Sequence, residues 1–350
     1  MKQILWIVLL FLYPFMACTQ IDKKNFLFEA ELTVAYTIPI HEMFPPLDLH
    51  IHNDFLILSN VGNPGYSLDY FFQAYRLSDL TYTGSFGRRG RGPNEWVNPD
   101  VVRSSVNCPY FYFWDVSSRQ STAVIHKMVL DSMALMTEKD PFLVEKGYSF
   151  MNRPVIRNDS LLVFDEFMPD QRAVRVHHLH GERPVTTWYY GLSSSNSHPF
   201  FDENMGTLLA NDSCIIFIYR FKDRIDIMDW DLKLKKRMNY QRGKLAVHED
   251  RSEMITYYSP SYLGDHFLYT FYMGMSIKER QNRNVQSLDL EVSDLNGTSI
   301  CHYTFSTPTP SIFAVDERTF TLYGYRGDNG MEDCIYVYQL SGLKEYLQNR

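Results

Sequence analysis

The sequence predicts an all-β protein folded as a six-bladed β-propeller, in which each blade is a four-stranded antiparallel sheet and an N-terminal strand closes the ring. Turn residues recur six times, at steps of 51 to 54 residues, along the 350-residue chain. About four strand-like runs fit into each interval, as a propeller blade requires. Phe, Tyr and Trp, which favour pleated sheets, make up 15% of the residues. With 45% hydrophobic residues the chain can build a packed core, which excludes wholesale disorder.

Each repeat begins with a turn of Asn, Asp or Gly residues, and a run of aromatic and β-branched residues follows it. The turns with their runs are Asn53-Asp54 before FLIL, Asn107-Cys108-Pro109 before YFYFW, Asn158-Asp159 before SLLVF, Asn211-Asp212 before SCIIFIY, Gly264-Asp265 before HFLYTFY, and Asp316-Glu317 before RTFTLYGY. Repeats of this length indicate stacked blades. Two stacked β-sandwich domains are the alternative, but they give no reason for six nearly equal steps.

A second hairpin supplies the outer strands of the blades. Its turns are predicted at residues 78–81, 180–183, 231–233 and 294–297. The last repeat is one strand short, whereas Phe26–Ile38 forms a spare strand before the first repeat. We expect this strand to complete the sixth blade, which also hides a sheet edge that favours aggregation. Only Lys127–Glu138 and Leu343–Asn349 have the pattern of short helices.

The N-terminus has the layout of a lipoprotein signal. Ile4–Phe15 is an apolar run, shorter than the roughly 20 residues that span a bilayer and typical of a signal-peptide core. Ala17 directly before Cys18 resembles the bacterial lipobox, in which the cysteine becomes the lipidated first residue. A plain secretory signal is the alternative. We expect a signal peptide over residues 1–17, lipidation at Cys18, a tether over 18–25, the propeller over 26–342, and a tail or short helix over 343–350.

The expected location is the cell envelope. Thr19-Gln20 lacks the Asp that suggests inner-membrane retention, so we expect a lipid anchor in the outer membrane, on its periplasmic or its surface face. Several acyl chains on one cysteine hold a protein firmly in a membrane. The formal net charge of −7 argues against nucleic acid as a partner.

A glycine- and arginine-rich segment, GSFGRRGRGPNEWVNP, lies at Gly84–Pro99. Its pattern is similar to the G-R-x-G-x-G-P-x-E-[FW] segment of the TolB-like six-bladed propeller lipoproteins of Bacteroidetes, and it also resembles the punctuation of NHL-type propellers. The matching residues are Gly87, Arg88, Gly90, Gly92, Pro93, Glu95 and Trp96. With the lipobox and the six repeats, the resemblance covers essentially the whole chain. It implies the propeller fold and an envelope location, but the biochemical role of that family is largely undefined.

Candidate ligand-binding residues lie on the face where one blade connects to the next. The Gly-Arg segment supplies Arg88, Arg89, Arg91 and Glu95, and three guanidinium groups on one loop suit carboxylates or phosphates. Loops after the second strands open on the same face and carry mixed charges, among which Asp165, Arg220 and Arg326 are further candidates. The other charges in these loops are Asp115, Arg119, Asp170, Lys222, Lys278, Arg280 and Asp328.

Structural roles are the alternative for the same residues. The glycines allow a close connection between two blades, and Trp96 is expected to pack between blades. The loop charges then form a solvated rim. The Asn-Asp turns fall on the opposite face, where turn formation explains them.

Metal-binding patterns are weak in this sequence. His50-Ile51-His52 superficially resembles the HxH motif of α/β-barrel amidohydrolases, but the chain lacks the helices of that fold. His178 and His180 share a strand face and lack an evident third ligand for zinc. Among the cysteines after Cys18, no CxxC motif occurs, and they are interpreted as core residues, namely Cys108, Cys214, Cys301 and Cys334.

Two functions are compatible with these patterns. The absence of GxSxG and HExxH motifs favours a non-enzymatic binding or scaffold propeller, without a cofactor, for an envelope protein, peptide or glycan. The alternative is a calcium-dependent, lactonase-like hydrolase with its site on the propeller axis. Glu95 and Asp100 are candidate ligands for that ion, although calcium needs 6–8 oxygen ligands and matching acids in the other blades are not obvious.

Overall fold

The structure is a computed structural model. It describes residues 24–42, 44–61, 68–97, 99–105, 108–115, 123–131, 136–139, 142–144, 151–167, 172–180, 185–190, 204–240, 250–327 and 334–350. Six sheets surround the axis, and each is built on four antiparallel strands. In five of them these strands follow one another in chain order outward from the axis, and the outermost strand of the sixth comes from the N-terminal segment. Neighbouring blades meet through their first strands. This confirms the prediction of a six-bladed propeller.

Two strands precede the first blade, β1 (Phe28–Leu32) and β2 (Tyr36–Pro39). The first blade consists of β3 (Asp48–His52), β4 (Phe55–Ser59), β5 (Tyr70–Arg76) and β6 (Tyr82–Arg88). The second blade consists of β7 (Pro99–Val102), β8 (Phe111–Asp115), β9 (Ala123–Leu130), β10 (Met136–Glu138) and β11 (Phe142–Val144). The third blade consists of β12 (Met151–Arg157), β13 (Leu161–Phe167), β14 (Arg172–His178) and β15 (Thr186–Tyr189).

The second half of the ring repeats this plan. The fourth blade consists of β16 (Gly206–Ala210), β17 (Ile215–Tyr219), β18 (Arg224–Met228) and β19 (Leu234–Asn239). The fifth blade consists of β20 (Ile255–Leu263), β21 (Phe267–Ser276), β22 (Asp289–Asp294) and β23 (Ser299–Phe305). The sixth blade begins with β24 (Ile312–Asp316), β25 (Thr321–Tyr325) and β26 (Cys334–Gln339).

The recurring Asn-Asp turns join the first and second strands of the blades, as predicted. Asn53 and Asn158 both have a φ angle of 48°, in the left-handed region that Asn tolerates better than most residues. Asn211 acts through its side chain, whose Oδ1 accepts hydrogen bonds from the backbone nitrogens of Ser213 and Cys214 at 2.9 and 3.1 Å. In the first, third and fourth blades this turn is therefore closed by local turn chemistry.

The N-terminal segment closes the ring as two strands, whereas one strand was predicted over Phe26–Ile38. Strand β2 pairs antiparallel with β26 and completes the sixth blade. Strand β1 pairs parallel with β23 and adds a fifth strand to the fifth blade. The chain leaves the strand conformation between Leu32 and Tyr36, where it passes from one blade to the next. The single segment thus covers the outer edges of two neighbouring blades.

The helix predicted over Lys127–Glu138 is wrong. The described parts of this segment belong to β9 and β10, because residues 125–128 of β9 pair with β8 and β10 pairs antiparallel with β9. The two α-helices of the described residues are α1 (Ile277–Asn282) and α2 (Leu343–Gln348), and a short 3-10 turn covers Arg251–Glu253. None of the described helices has the length and apolar character needed to cross a membrane.

Aromatic side chains pack between blades. Phe72 of the first blade lies edge-on to Phe111 of the second, with ring centroids 5.4 Å apart. Trp96 is 93% buried and packs against Phe113 at 4.9 Å, as expected for a residue between blades. Burying each such ring contributes roughly 1.5–3 kcal/mol.

The cysteines after position 18 are free. Cys214 and Cys301 are buried in the core, as predicted, whereas Cys108 and Cys334 are only partly buried. Burial raises the pKa of the Cys214 thiol to about 11 and that of Cys301 to about 12, so both are protonated at neutral pH.

Candidate functional site

The innermost strands enclose two adjoining cavities on the propeller axis. The larger has a volume of about 330 Å³ and is lined by residues at the beginning of β3, β7 and β24, so it opens on the face of the blade-to-blade connections. The smaller, of about 60 Å³, continues along β3 to His52. His50 and Arg103 line both cavities. We call the larger space the axial cavity.

Asp48, His50 and Arg103 form a charged group in the wall of the axial cavity. Asp48 and His50 share a face of β3 because alternate residues of a strand point the same way. The Nη2 atom of Arg103 donates a hydrogen bond to Asp48 Oδ2 at 2.8 Å, and His50 Nε2 lies 3.6 Å from the same oxygen. Asp48 thereby neutralises Arg103.

The two titratable groups on β3 have lowered pKa values for different reasons. Burial tends to raise the pKa of Asp48, but the charges of Arg103 and His50 and the hydrogen bond from Arg103 lower it to about 2. Burial lowers the pKa of His50 to about 4, against the opposing effect of the Asp48 carboxylate. At neutral pH the wall therefore holds an ionised Asp48 and an uncharged His50. His50 Nε2 is buried and has no hydrogen-bond partner among the described residues.

Arg153 is a basic residue of the axial cavity that forms no ion pair with a described neighbour. It lines the cavity, its side chain is exposed there, and it forms no hydrogen bond or ion pair with another described residue. Its φ angle is 50°, at an irregularity of the β12–β13 pairing between Asn152 and Val155. A non-glycine residue in this region is strained, and such strain is concentrated at functional sites.

Although Arg153 reaches the cavity, the surrounding protein restricts its hydration, and this effect, followed by the charge of Arg103, lowers the pKa of Arg153. A guanidinium group in a protein nevertheless stays protonated. Asp100, on β7, also lines the cavity, and burial raises its pKa. The arrangement therefore offers one available guanidinium group and one uncharged imidazole nitrogen to a ligand. Within the described part of the chain, no three His, Cys, Asp or Glu residues are placed to hold a metal ion.

The Gly-Arg loop uses two of its four predicted ligand-binding residues, Arg89 and Glu95, to hold its own shape. Arg89 stacks over the Phe71 ring at 3.9 Å, and its Nη2 donates a hydrogen bond to the carbonyl oxygen of Asn60 at 2.8 Å. Glu95 accepts a hydrogen bond from the Gly92 backbone nitrogen at 2.8 Å. A side chain at Gly90, whose φ is 157°, would collide with Glu95.

The two remaining arginines of this loop are solvent-exposed. Arg88 lies 3.5 Å from the Glu95 carboxylate with 68% of its side chain exposed, and Arg91 is exposed as well. Of the two candidate calcium ligands, Glu95 bonds within the loop whereas Asp100 lies on the axis.

The other predicted ligand-binding residues are spread over three blades. Asp165 is buried on β13 and accepts a hydrogen bond from the Tyr190 hydroxyl at 2.6 Å, and burial raises its pKa to about 7. Arg326 donates to the Tyr338 hydroxyl at 3.0 Å and lies over the Tyr336 ring. Arg220 follows β17, and its carbonyl oxygen accepts a hydrogen bond from the backbone of the fifth blade.

None of the seven predicted ligand-binding residues lines the axial cavity or the smaller cavity beside it. Cys18 and three of the loop charges lie outside the described residues, the latter being Arg119, Asp170 and Asp328. Sequence reasoning missed Asp48, Arg103 and Arg153. It had singled out His50 and His52 only as a superficial metal motif. The signal available in the sequence was that these residues lie a few positions before a predicted blade turn, where the first strand of each blade faces the axis.

The comparisons with known proteins support the fold. No protein-family model and no curated protein matches this sequence. A member of the duf4221 family from Bacteroides vulgatus has a similar structure, with 12% identity and a TM-score of 0.56, over 88% of this chain and 97% of that one. A presumed exported protein from Bacteroides fragilis is similar with 11% identity and a TM-score of 0.52, over 90% of this chain and 99% of that one. At this level of identity the similarity shows the fold alone.

Proposed function

We propose that this protein is an envelope lipoprotein, anchored through Cys18 in the outer membrane, whose propeller binds an envelope protein, peptide or glycan without catalysing a reaction. The ligand is recognised in the axial cavity through a carboxylate group. The observation that carries the proposal is the available Arg153 guanidinium in a polar cavity on the propeller axis.

The chemistry of the cavity favours an acidic ligand. Arg103 is already neutralised by Asp48, so the unneutralised positive charge is that of Arg153. A guanidinium group binds a carboxylate with two parallel hydrogen bonds, and the bond is strong in a site enclosed by protein. His50 Nε2 offers a further polar contact in the same wall. The cavity volume suits a terminal group, such as an acidic side chain or a uronic acid, and a larger ligand can extend over the open face.

The proposed location rests on the N-terminal sequence and agrees with one structural neighbour. The apolar run before Ala17-Cys18 supports export and lipidation. The Bacteroides fragilis protein with a similar fold is itself presumed to be exported.

Acidic peptides and uronic-acid oligosaccharides, each paired with a carboxyl-amidated counterpart, test the ligand proposal by calorimetric titration. We expect binding of an acidic form but not of its amidated form, and a loss of affinity of at least about 10-fold in Arg153→Gln, as for the loss of one charged hydrogen-bonded contact. The matched control is the exposed Arg91→Gln, which should bind like the wild type. Equal binding by Arg153→Gln, or a probe that is hydrolysed, would contradict the proposal.

Metabolic labelling with an alkyne-bearing fatty acid tests the anchor. The wild type should incorporate the label and Cys18→Ala should not, whereas the control Cys334→Ala should be labelled like the wild type. A mature protein that carries no label and begins at another residue refutes the anchor.

A further inference from the structure

The side chain of Lys24 inserts into a pocket of the propeller at the junction of the fourth and fifth blades. Its Nζ atom lies 3.6 Å from the centre of the Tyr272 ring, 4.9 Å from that of Tyr240 and 5.0 Å from that of Tyr258. The same atom is 3.0 Å from a carboxylate oxygen of Glu291 and 3.3 Å from one of Asp223. Only 15% of the Lys24 side chain is exposed. Three aromatic faces and two carboxylates thus surround one ammonium group.

The five surrounding residues, which we call the ammonium cage, come from the propeller and not from the tether. Tyr258, Tyr272 and Glu291 stand on β20, β21 and β22, whereas Asp223 and Tyr240 flank the outer hairpin of the fourth blade. The hydroxyl of Tyr258 donates a hydrogen bond to Asp223 Oδ1 at 2.5 Å, and that of Tyr272 donates to Oδ2 at 3.4 Å. These bonds hold Asp223 in place independently of Lys24.

The composition of the cage matches one ligand class. The faces of tyrosine rings attract cations, and an alkylammonium group lets its carbon stem pack against the rings while its charge meets the carboxylates. The two carboxylate side chains are about nine-tenths buried, 9% of Asp223 and 12% of Glu291 being exposed. Burial raises the pKa of Glu291, and the charge of Lys24 opposes that effect. Buried negative charge of this kind needs a cation.

Lys24 is a ligand that can be exchanged. It precedes β1 and belongs to no sheet, so its release breaks no strand pairing. We propose that the ammonium cage is an alkylammonium-binding site, which Lys24 occupies in cis and which accepts the alkylammonium group of an external ligand when Lys24 leaves. The site lies apart from the axial cavity and does not depend on the function proposed for it.

Chemical rescue of Lys24→Ala in the full-length, detergent-purified protein tests the proposal. The probe is n-butylammonium, which reproduces the stem and charge of a lysine side chain. Lys24→Ala should melt at a lower temperature than the wild type. Addition of n-butylammonium at about ten times its dissociation constant should raise the melting temperature of this variant by about 2 °C. The matched control is Lys23→Ala, in which Lys24 still occupies the ammonium cage. Its melting temperature should show no such rise.

Further control experiments distinguish specific binding of n-butylammonium in the cage from a general effect of salt. Sodium chloride at the same ionic strength and neutral n-butanol should not rescue Lys24→Ala. In that background, Tyr272→Phe keeps the ring and should preserve rescue, whereas Tyr272→Leu should abolish it. The proposal is overturned if sodium chloride rescues as well as n-butylammonium, if Tyr272→Leu leaves rescue intact, or if Lys24→Ala behaves like Lys23→Ala. Binding at the axial cavity by the same variants reports on that function separately.

Discussion

The substitution His50→Asn should reduce the loss of stability that the protein suffers in acid. Burial, reinforced by Arg103 and opposed by Asp48, lowers the pKa of His50 to about 4 in the folded protein. In the unfolded chain a histidine titrates near pH 6.5. Between these values the unfolded chain binds a proton that the folded chain does not, so stability is complete above pH 6.5 and falls as the pH decreases towards 4.

The expected size of this effect follows from the two pKa values. Proton linkage gives a loss of about 2 kcal/mol in the free energy of unfolding through His50 between about pH 7.5 and about pH 5. For a protein of this size that corresponds to about 3 °C in melting temperature. Burial also lowers the pKa of His52 to about 4. His52 therefore contributes a further loss of stability in acid, and this loss remains in the His50→Asn variant.

Thermal melts of wild type and His50→Asn at the two pH values measure the effect. The drop in melting temperature should be smaller in the variant by about 3 °C. The comparison uses the decrease in melting temperature between the two pH values in each protein. Any packing cost of the substitution is present at both pH values and therefore cancels. The control His266→Asn alters an exposed histidine and should keep the wild-type drop. If His50→Asn and the wild type lose equal stability in acid, the burial argument for His50 fails.

Three more predictions concern stability. Asp226→Asn should lower the free energy of unfolding, measured by urea titration, by about 3–5 kcal/mol, because the fully buried carboxylate accepts hydrogen bonds from two arginines. The control Asp231→Asn alters an exposed turn and should have little effect. Ile38→Asp places a charge in the buried face of β2 and should cost more than about 3 kcal/mol, and the exposed Thr37→Asp is its control. Calcium and chelators should leave the melting temperature unchanged, because no three His, Cys, Asp or Glu side chains among the described residues are placed to hold a metal ion. Stoichiometric calcium in the purified protein would favour the hydrolase alternative.

The blade number and the strand plan could be predicted because local chemistry repeats in each blade. A turn residue such as Asn53 or Asn158 is recognisable without knowledge of its neighbours in space, since it needs only the left-handed conformation or a side-chain hydrogen bond. The segment Lys127–Glu138 shows the limit of such reasoning. Its helical spacing was overridden by antiparallel pairing with β8, the strand that precedes it, and spacing within one segment does not reveal such a partner.

Ring closure was predictable only in part for a related reason. Alternation of buried and exposed residues marks Phe28–Leu32 as a strand, but it is the same for parallel and antiparallel partners. The parallel pairing of β1 with β23 therefore has no local signature. This pairing depends on the path of the chain from β1 in the fifth blade to β2 in the sixth.

The arginines explain why the axial cavity could not be identified from the sequence. Residue type predicts that a guanidinium group can bind an anion, but availability depends on contacts that only the closed ring creates. Arg89 and Arg326 are held by aromatic rings and hydroxyl or carbonyl oxygens of neighbouring strands. Arg103 meets Asp48, a residue 55 positions away, because both reach the axis. Arg153 reaches the same cavity without such a partner. In a propeller the residues around the axis come from six distant segments, so an unneutralised charge there is a property of the assembled ring and not of any one motif.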